Sequence, residues 1–279
     1  SNYRVDAIHL CEPSPQRTPV LYQAGASEAG REFAARHAEC VFLLGPSPQV
    51  VAPSVKDLRA RALRHGRNPR ELLIFTLMTV ITGKSDAEAR DKFAEYRSYI
   101  SHEGALTLFS GWTGIDFSRF DLDDPLEHLR NDAIHSAVDA FTIADPDRRW
   151  TVREVAEFVG IGGMGAIVVG SPTSVADQLE SWISQTDLDG FNLAYAVTPE
   201  SFSDFVELVV PELQRRGRFK RDYRPGTLRE KLYGTGRARL PLDHPGAAYR
   251  QKAKPSVTAG GLSGGLSPTP QLLGRPSHE

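Results

Sequence analysis

Pro19-Val-Leu-Tyr-Gln-Ala-Gly-Ala-Ser27 decides the fold. An apolar run gives way to three small residues and then to a residue with a strong preference for helix starts. The run reads as a buried strand, Gly25 and Ala26 as a tight turn, and Ser27 as the N-cap of a helix over Ala29–His37. Working outward, residues 39–44 repeat the strand signal and close on Gly45-Pro46. Residues 47–65 put Val51, Val55, Leu58 and Ala62 on one helical face, with Gly66 as the stop. Residues 72–82 predict a third strand and 85–100 the next helix. Residues 189–195 predict a fourth strand and 201–214 a helix after it. This alternation belongs to right-handed βαβ units around a parallel sheet, so the fold class is α/β.

Two segments interrupt the alternation. Residues 101–150 carry Gly104, Gly111 and Gly114, the aromatics Phe109, Trp112, Phe117 and Phe120, and a string of aspartates. A connection of that length points to function or mobility. Residues 151–186 read as mostly helical, with a capping-box spacing from Thr151 to Glu154 and Ser171-Pro172 leading into a second helix. Residues 255–279 are rich in Gly, Ser and Pro and are expected to be disordered. Four strand–helix units are half of what an eight-fold barrel needs; an open doubly wound sheet is the alternative.

Composition narrows the function. Of 279 residues, 40% are hydrophobic and 24% charged, ordinary for a globular protein. No apolar stretch approaches the roughly 18 residues of a spanning helix, so a transmembrane reading is excluded. Two cysteines make neither a disulfide scaffold nor a cysteine zinc site, and a reducing cytoplasmic setting is expected. The first residue is Ser1 rather than Met, and an N-terminal half is expected to be missing. The net charge of −2 hides a division: residues 215–279 hold 14 Lys/Arg against 4 Asp/Glu, leaving the rest acidic. The acidic body argues against nucleic-acid binding, while the basic tail keeps alive a non-catalytic module that binds nucleic acid or an acidic partner.

Several motifs carry chemistry. Gly160-Ile-Gly-Gly-Met-Gly165 has the letters of a dinucleotide fingerprint, but a helical pattern precedes it and a β-like run, Ala166–Val169, follows. A pyrophosphate site needs the opposite order, so the segment reads as a flexible connector. The 23–27 turn has the right order: small residues let an anion approach the positive end of a helix, and Ser27 adds a donor. On the residues alone, a Ser27 that merely caps its own helix is the favoured reading, since Glu28 nearby would repel an anion. His128 and His135 have no acidic ligand between them, and no metal site is expected. No G-x-S-x-G occurs, and no catalytic acid or base stands out. Trp112, Asp116 and Phe117 are candidates for a lid that keeps water from a pocket.

Taken in order, residues 19–42, Gly111–Ser118, Val169–Asp177, Asp189–Tyr195, Val210–Gly217 and His244–Arg250 resemble the flavin-dependent monooxygenases typified by nitrilotriacetate monooxygenase component A. The resemblance implies a bacterial-luciferase-like (β/α)8 barrel, of which this chain holds strands five to eight: 19–24, 39–44, 72–82 and 189–195. Residues 1–254 are then a partial barrel. The cofactor implied is FMN, reduced by a separate NAD(P)H-dependent flavin reductase, with O2 oxygenating a small organic substrate. Gly25, Ala26 and Ser27 become the FMN-phosphate loop, and residues 101–126 an insertion over the substrate pocket. A homo-oligomer is implied for the intact enzyme, without a membrane or nucleic acid. The family's first four βα units have no counterpart, so the chain is expected to be a C-terminal portion that does not catalyse alone. A deazaflavin (F420)-dependent oxidoreductase of the same superfamily is the alternative enzyme.

Overall fold

Five parallel strands carry the structure, a computed structural model that describes residue 7 and residues 10–24, 27–126, 141 and 149–248. They are β1 (Tyr22–Ala24), β2 (Cys40–Leu43), β3 (Leu73–Thr82), β4 (Ala166–Gly170) and β5 (Gly190–Ala194). The register resolves their order. Phe75 and Thr76 pair with Phe42 and Leu43 and also with Gly190 and Phe191; Met78 and Thr79 pair with Ala166 and Ile167 and also with Leu193 and Ala194. Each strand edge takes one partner at a time. Thus β5 runs along one edge of β3, while β2 and β4 share the other. An isolated bridge from Gly45 to Gly165 marks the handover.

The arc β1-β2-β3-β5 contains the four strands read from the sequence. The fifth strand corrects the count of four: β4 is the β-like run Ala166–Val169, which lies within the segment expected to be mostly helical. β4 is only five residues long and ends on Gly170, with Gly165 just before it. Its burial alternates with the two-residue period of a strand.

Six helices follow from local signals: α1 (Glu28–His37), α2 (Pro48–Arg64), α3 (Asp86–Ser98), α4 (His102–Thr113), α5 (Val152–Gly162) and α6 (Pro172–Thr186). The predicted capping box closes at α5, where the Thr151 hydroxyl accepts from Glu154 N and the Glu154 carboxylate from Thr151 N. α7 runs through Glu200–Asp204, a π turn at Phe205–Val209 and Val210–Arg215. The π turn accommodates Pro211, which has no N–H and whose ring would strike the carbonyl four residues earlier. A further helix, α8 (Leu228–Tyr233), opens the C-terminal strap.

Alternation along the strands divides the sheet. Val41, Leu43, Ile74, Met78, Val80, Ala166 and Val168 are buried against Ala34, Val51, Val55, Leu58, Val175, Ala176 and Leu179 of the helices. Phe42, Phe75, Leu77 and Thr79 occupy the intervening positions and face the other way. Burial of the first set against α1, α2 and α6 is the main stabilising term of the fold.

Within 101–150, the expected irregular connection holds α4. The Ser101 hydroxyl accepts from Gly104 N at 3.1 Å, and Gly114, at φ 70°, ends the helix in the left-handed conformation. Phe109, Phe117, Phe141, Trp150, Val152, Val155 and Val159 build a second core between α4 and α5. The basic C-terminal segment lies against the acidic body. Arg216 pairs with Asp177, Glu180 and Glu212, Arg218 with Glu180, Arg229 with Glu39, and Arg237 with Glu71. Those arginines are occupied within the fold, which reduces the cationic surface that the tail reading requires. Residues 255–279 lie outside the described residues.

Candidate functional site

In parallel α/β folds, ligand sites sit at the carboxyl ends of the strands, where helix N-termini present free N–H groups. Four such helix starts, those of α1, α2, α3 and α6, border this end of the sheet. At α6, the position is taken: Ser171 N donates to Asp86 Oδ1 at 2.7 Å, and that bond, helped by Ser174 and the Ser171 hydroxyl, holds the Asp86 carboxyl below its usual range. At α3, Ser85 caps Glu88 N and the Glu88 carboxylate turns back to Lys84 N. At α2, the Ser47 hydroxyl makes no capping bond and its oxygen is buried.

α1 differs. Ser27 is exposed, with extended backbone (φ −63°, ψ 156°), and its oxygen accepts from Gly30 N at 3.1 Å. The hydroxyl proton is left to donate outward. Glu28, which would repel an anion, stands 3.8 Å from the Arg61 guanidinium of α2, which partly offsets its charge. Gly25 and Ala26, the other residues of the expected phosphate loop, lie outside the described residues.

Below this turn, the sheet face turned away from α1, α2 and α6 is aromatic. Tyr22 stacks on Phe42 with ring centroids 5.2 Å apart, and Phe42 meets Phe75 at 6.1 Å. The Phe75 ring passes over Gly190, where a Cβ would stand 3.1 Å from it. Asn192 and Ala194 project on the same side as Gly190, by the two-residue period of β5. These residues fall within the predicted strands but carry no role there; only the strand register brings them together. Cys40, on the same face, is not a nucleophile, because burial above all pushes its thiol up to about 11.

The glycine segment 160–165 is packed, which corrects its reading as a flexible connector. A Cβ at Gly162 would lie 2.7 Å from Ile167, and one at Gly165 would lie 2.8 Å from the Leu77 carbonyl oxygen. Glycine is therefore required where α5 crosses onto the sheet. The order helix, glycines, strand is the one that argued against a dinucleotide site.

The lid candidates separate. Trp112 is half-buried, with its ring edge 3.9 Å from where a Cβ of Gly163 would stand, at the seam between insertion and sheet with Met164 and Val50. Phe117 is 1% exposed, its ring 5.0 Å from that of Phe109. It holds the insertion together from inside. Asp116 is exposed and caps a short turn; its carboxyl lies below its usual range, chiefly through the Ser118 hydroxyl, with help from Arg119. His128 and His135 lie outside the described residues. Among the described residues no group of three or more metal-ligating side chains occurs, and no helix is long and apolar enough to cross a membrane.

Residues 3–189 match the model of the luciferase-like monooxygenase family. The chain belongs to that family. It is 48% identical over 248 residues to the dimethyl-sulfide monooxygenase of Hyphomicrobium sulfonivorans, covering 89% of this chain and 52% of the relative. It is 44% identical to the long-chain alkane monooxygenase of Geobacillus thermodenitrificans strain NG80-2, with the same coverage. The crystal structure of DmoA from Hyphomicrobium sulfonivorans superposes with a TM-score of 0.79 over 90% of this chain and 53% of that one. The chain thus spans about half the length of the relatives it matches. These findings bear out both the resemblance drawn from the sequence and its α/β barrel class.

Proposed function

We propose that this luciferase-like chain supplies the phosphate-anchoring half of a flavin monooxygenase site, using reduced FMN from a separate NAD(P)H-dependent reductase and O2 to oxygenate a small organic substrate. One observation carries the reading. The exposed N-cap Ser27 opens α1 directly after β1, with a free hydroxyl proton at the positive end of the helix. The residues fit a phosphate: the competing helix start at α6 already binds the Asp86 carboxylate through Ser171 N, whereas at Ser27 the one nearby carboxylate, Glu28, is exposed and lies toward Arg61.

When bound, reduced FMN would supply the electrons that cleave O2, one oxygen passing to the substrate and the other leaving as water. The chain's residues bind, orient and dry the site. Gly25, Ala26 and Ser27 would hold the phosphate, the Ser27 hydroxyl serving as a donor. Tyr22, Phe42 and Phe75 give an apolar wall that orients flat or hydrocarbon groups. Trp112 and Met164 close the seam against water, with Phe117 and Asp116 keeping the insertion in shape.

Equilibrium titration with FMN and with riboflavin tests the reading. The phosphate should tighten binding at least about tenfold, as charge-assisted hydrogen bonds do. Equal affinity for the two flavins would overturn it.

A further inference from the structure

A charged cavity lies at the amino ends of the strands, opposite the candidate site. The C-terminal strap crosses the loops that lead into β2 and β3, and the space enclosed between them measures about 40 Å³. That volume holds about three water molecules, the size of a phosphate or sulfate group. Its charges do not balance. Four guanidinium groups line it against three carboxylates. Arg229 is taken by Glu39 and Arg237 by Glu71. That leaves Arg67 and Arg239 with Asp243, and none of these three makes an ion pair among the described residues.

Arg67 donates through Nη1 to the Ala35 carbonyl at 2.7 Å and through Nη2 to that of Ala38 at 2.6 Å. These carbonyls are left over at the end of α1, so the arginine caps a helix. The cap occupies the two Nη groups, while Nε makes no hydrogen bond among the described residues. Carbonyls satisfy protons without supplying a full negative charge. Burial accordingly holds the Arg67 pKa below its usual range, and Tyr233, Glu39, Glu71 and Asp243 pull the other way without cancelling it. Arg239 is exposed and lines both this cavity and the open groove along residues 236–242, which gives an ion a way in from solvent.

We propose that this cavity binds a small oxyanion of the phosphate or sulfate class, held between the half-buried Arg67 and the exposed Arg239. Two guanidinium groups without a carboxylate suit an anion with several acceptor oxygens. Asn68, also on the wall, turns its Oδ1 to Arg70 N and has its amide protons left to donate. Asp243 is exposed, so solvent screens its charge. An anion here ties the loop before β3 to the strap, alongside the Arg229–Glu39 and Arg237–Glu71 pairs. The site stands apart from Ser27 and does not depend on the flavin reading.

Thermal unfolding of the full chain in inorganic phosphate, with sodium chloride holding the ionic strength constant, tests the proposal. The midpoint should rise with phosphate concentration, as it does for any ligand of the folded state. Sulfate should substitute for phosphate, and chloride should not. Calorimetric titration of the Ser27→Asp chain, whose α1 start is closed to anions, should still show one saturable phosphate site. In that chain Arg239→Gln should weaken phosphate binding about tenfold, the worth of a hydrogen bond to a charged group, and Arg239→Glu should abolish it. Both changes fall on an exposed side chain and should keep the parent circular dichroism. An equal response to chloride, or Arg239 variants that bind like their parent, would overturn the proposal. So would the loss of all saturable binding on Ser27→Asp alone, which would place the ion at α1.

Discussion

Arg229 and Glu39, 190 residues apart, form a doubly bonded ion pair sealed from water. Arg229 Nε donates to Glu39 Oε1 at 2.7 Å and an Nη2 proton goes to Oε2 at 2.9 Å, with the side chains 1% and 6% exposed. The remaining guanidinium protons reach the carbonyls of Thr18, Pro19 and Ala238, and Leu21 N donates to Glu39 Oε2. The C-terminal strap is thereby stapled to the amino ends of β1 and β2, opposite the candidate site. Arg229→Ala leaves a buried carboxylate without its partner and should cost about 3–5 kcal/mol in denaturant unfolding. Removing both charges, with Arg229→Met and Glu39→Gln together, should cost less than Arg229→Ala alone. If Arg229→Ala unfolds at the parent midpoint, the strap carries no stability.

The same end of the barrel should respond to acid. His244 sits 2.9 Å through Nε2 from the His37 carbonyl, and its Nδ1 accepts from Gly246 N at 3.0 Å. The ring is neutral in this arrangement, and a proton on Nδ1 would face the Gly246 N–H. Burial, with the Arg67 charge added, holds its pKa below the ordinary 6.5, against the opposing pull of the His37 carbonyl, Glu39 and Asp243. An unfolded chain therefore takes up the proton before the folded one. Stability should be full above pH 6.5 and fall as the pH drops through that value toward the folded pKa. His244→Gln should flatten part of that decline between about pH 7 and pH 5. Parallel curves for the two proteins would exclude the histidine.

Gly165 tests whether the glycine segment is a seam or a loose link. Its missing Cβ would stand 2.7 Å from Leu77 Cγ and 2.8 Å from the Leu77 carbonyl oxygen. Gly165→Ala should cost about 1–3 kcal/mol by overpacking. Leu77→Ala in the same chain should recover only part, because the carbonyl cannot retreat. Unchanged thermal unfolding of Gly165→Ala would restore the flexible-connector reading.

The strands of the arc, and the caps at Ser27, Thr151 and Ser171, were legible because each rests on neighbours in sequence. β4 showed only as the β-like run Ala166–Val169 and was left out of the count of strands, since four apolar residues between glycines give too short a window for the two-residue period to outvote a helical surrounding. α4 was masked by Gly104 and Gly111, which lower helix propensity although Gly111 meets nothing within 4 Å. The aromatic row Tyr22-Phe42-Phe75 was out of reach, because it depends on register between three strands. The basic tail carried its sign in the sequence but not its partners. Arg229 finds Glu39 only after the chain has closed on itself.

The insertion should divide along its two aromatic roles. Phe117 is enclosed by Phe109 and Phe120, whereas Trp112 lies at the seam. Phe117→Ala should cost about 3–5 kcal/mol and expose residues 102–126 to proteolysis. Trp112→Ala should leave that protection largely intact and instead change the access of a neutral quencher to a bound flavin. A Phe117→Ala chain as protected as the parent would show that the second core does not hold the insertion.

Ser27 allows the anion site to be separated from helix capping. Its oxygen accepts from Gly30 N, so Ser27→Ala removes both a cap and a donor and should cost about 1 kcal/mol of stability. Ser27→Gly keeps most of the capping preference, with a loss of a few tenths of a kcal/mol, yet still lacks the hydroxyl. Both should weaken FMN binding by about 10-fold, the worth of one hydrogen bond to a charged group, while riboflavin affinity stays constant. Ser27→Asp caps the helix well and sets a negative charge against the phosphate, so it should hold stability and lose FMN most. The ratio of FMN to riboflavin affinity across the three variants is the reading that matters. If it follows helix stability rather than the charge and hydroxyl at position 27, the turn is a cap and nothing more.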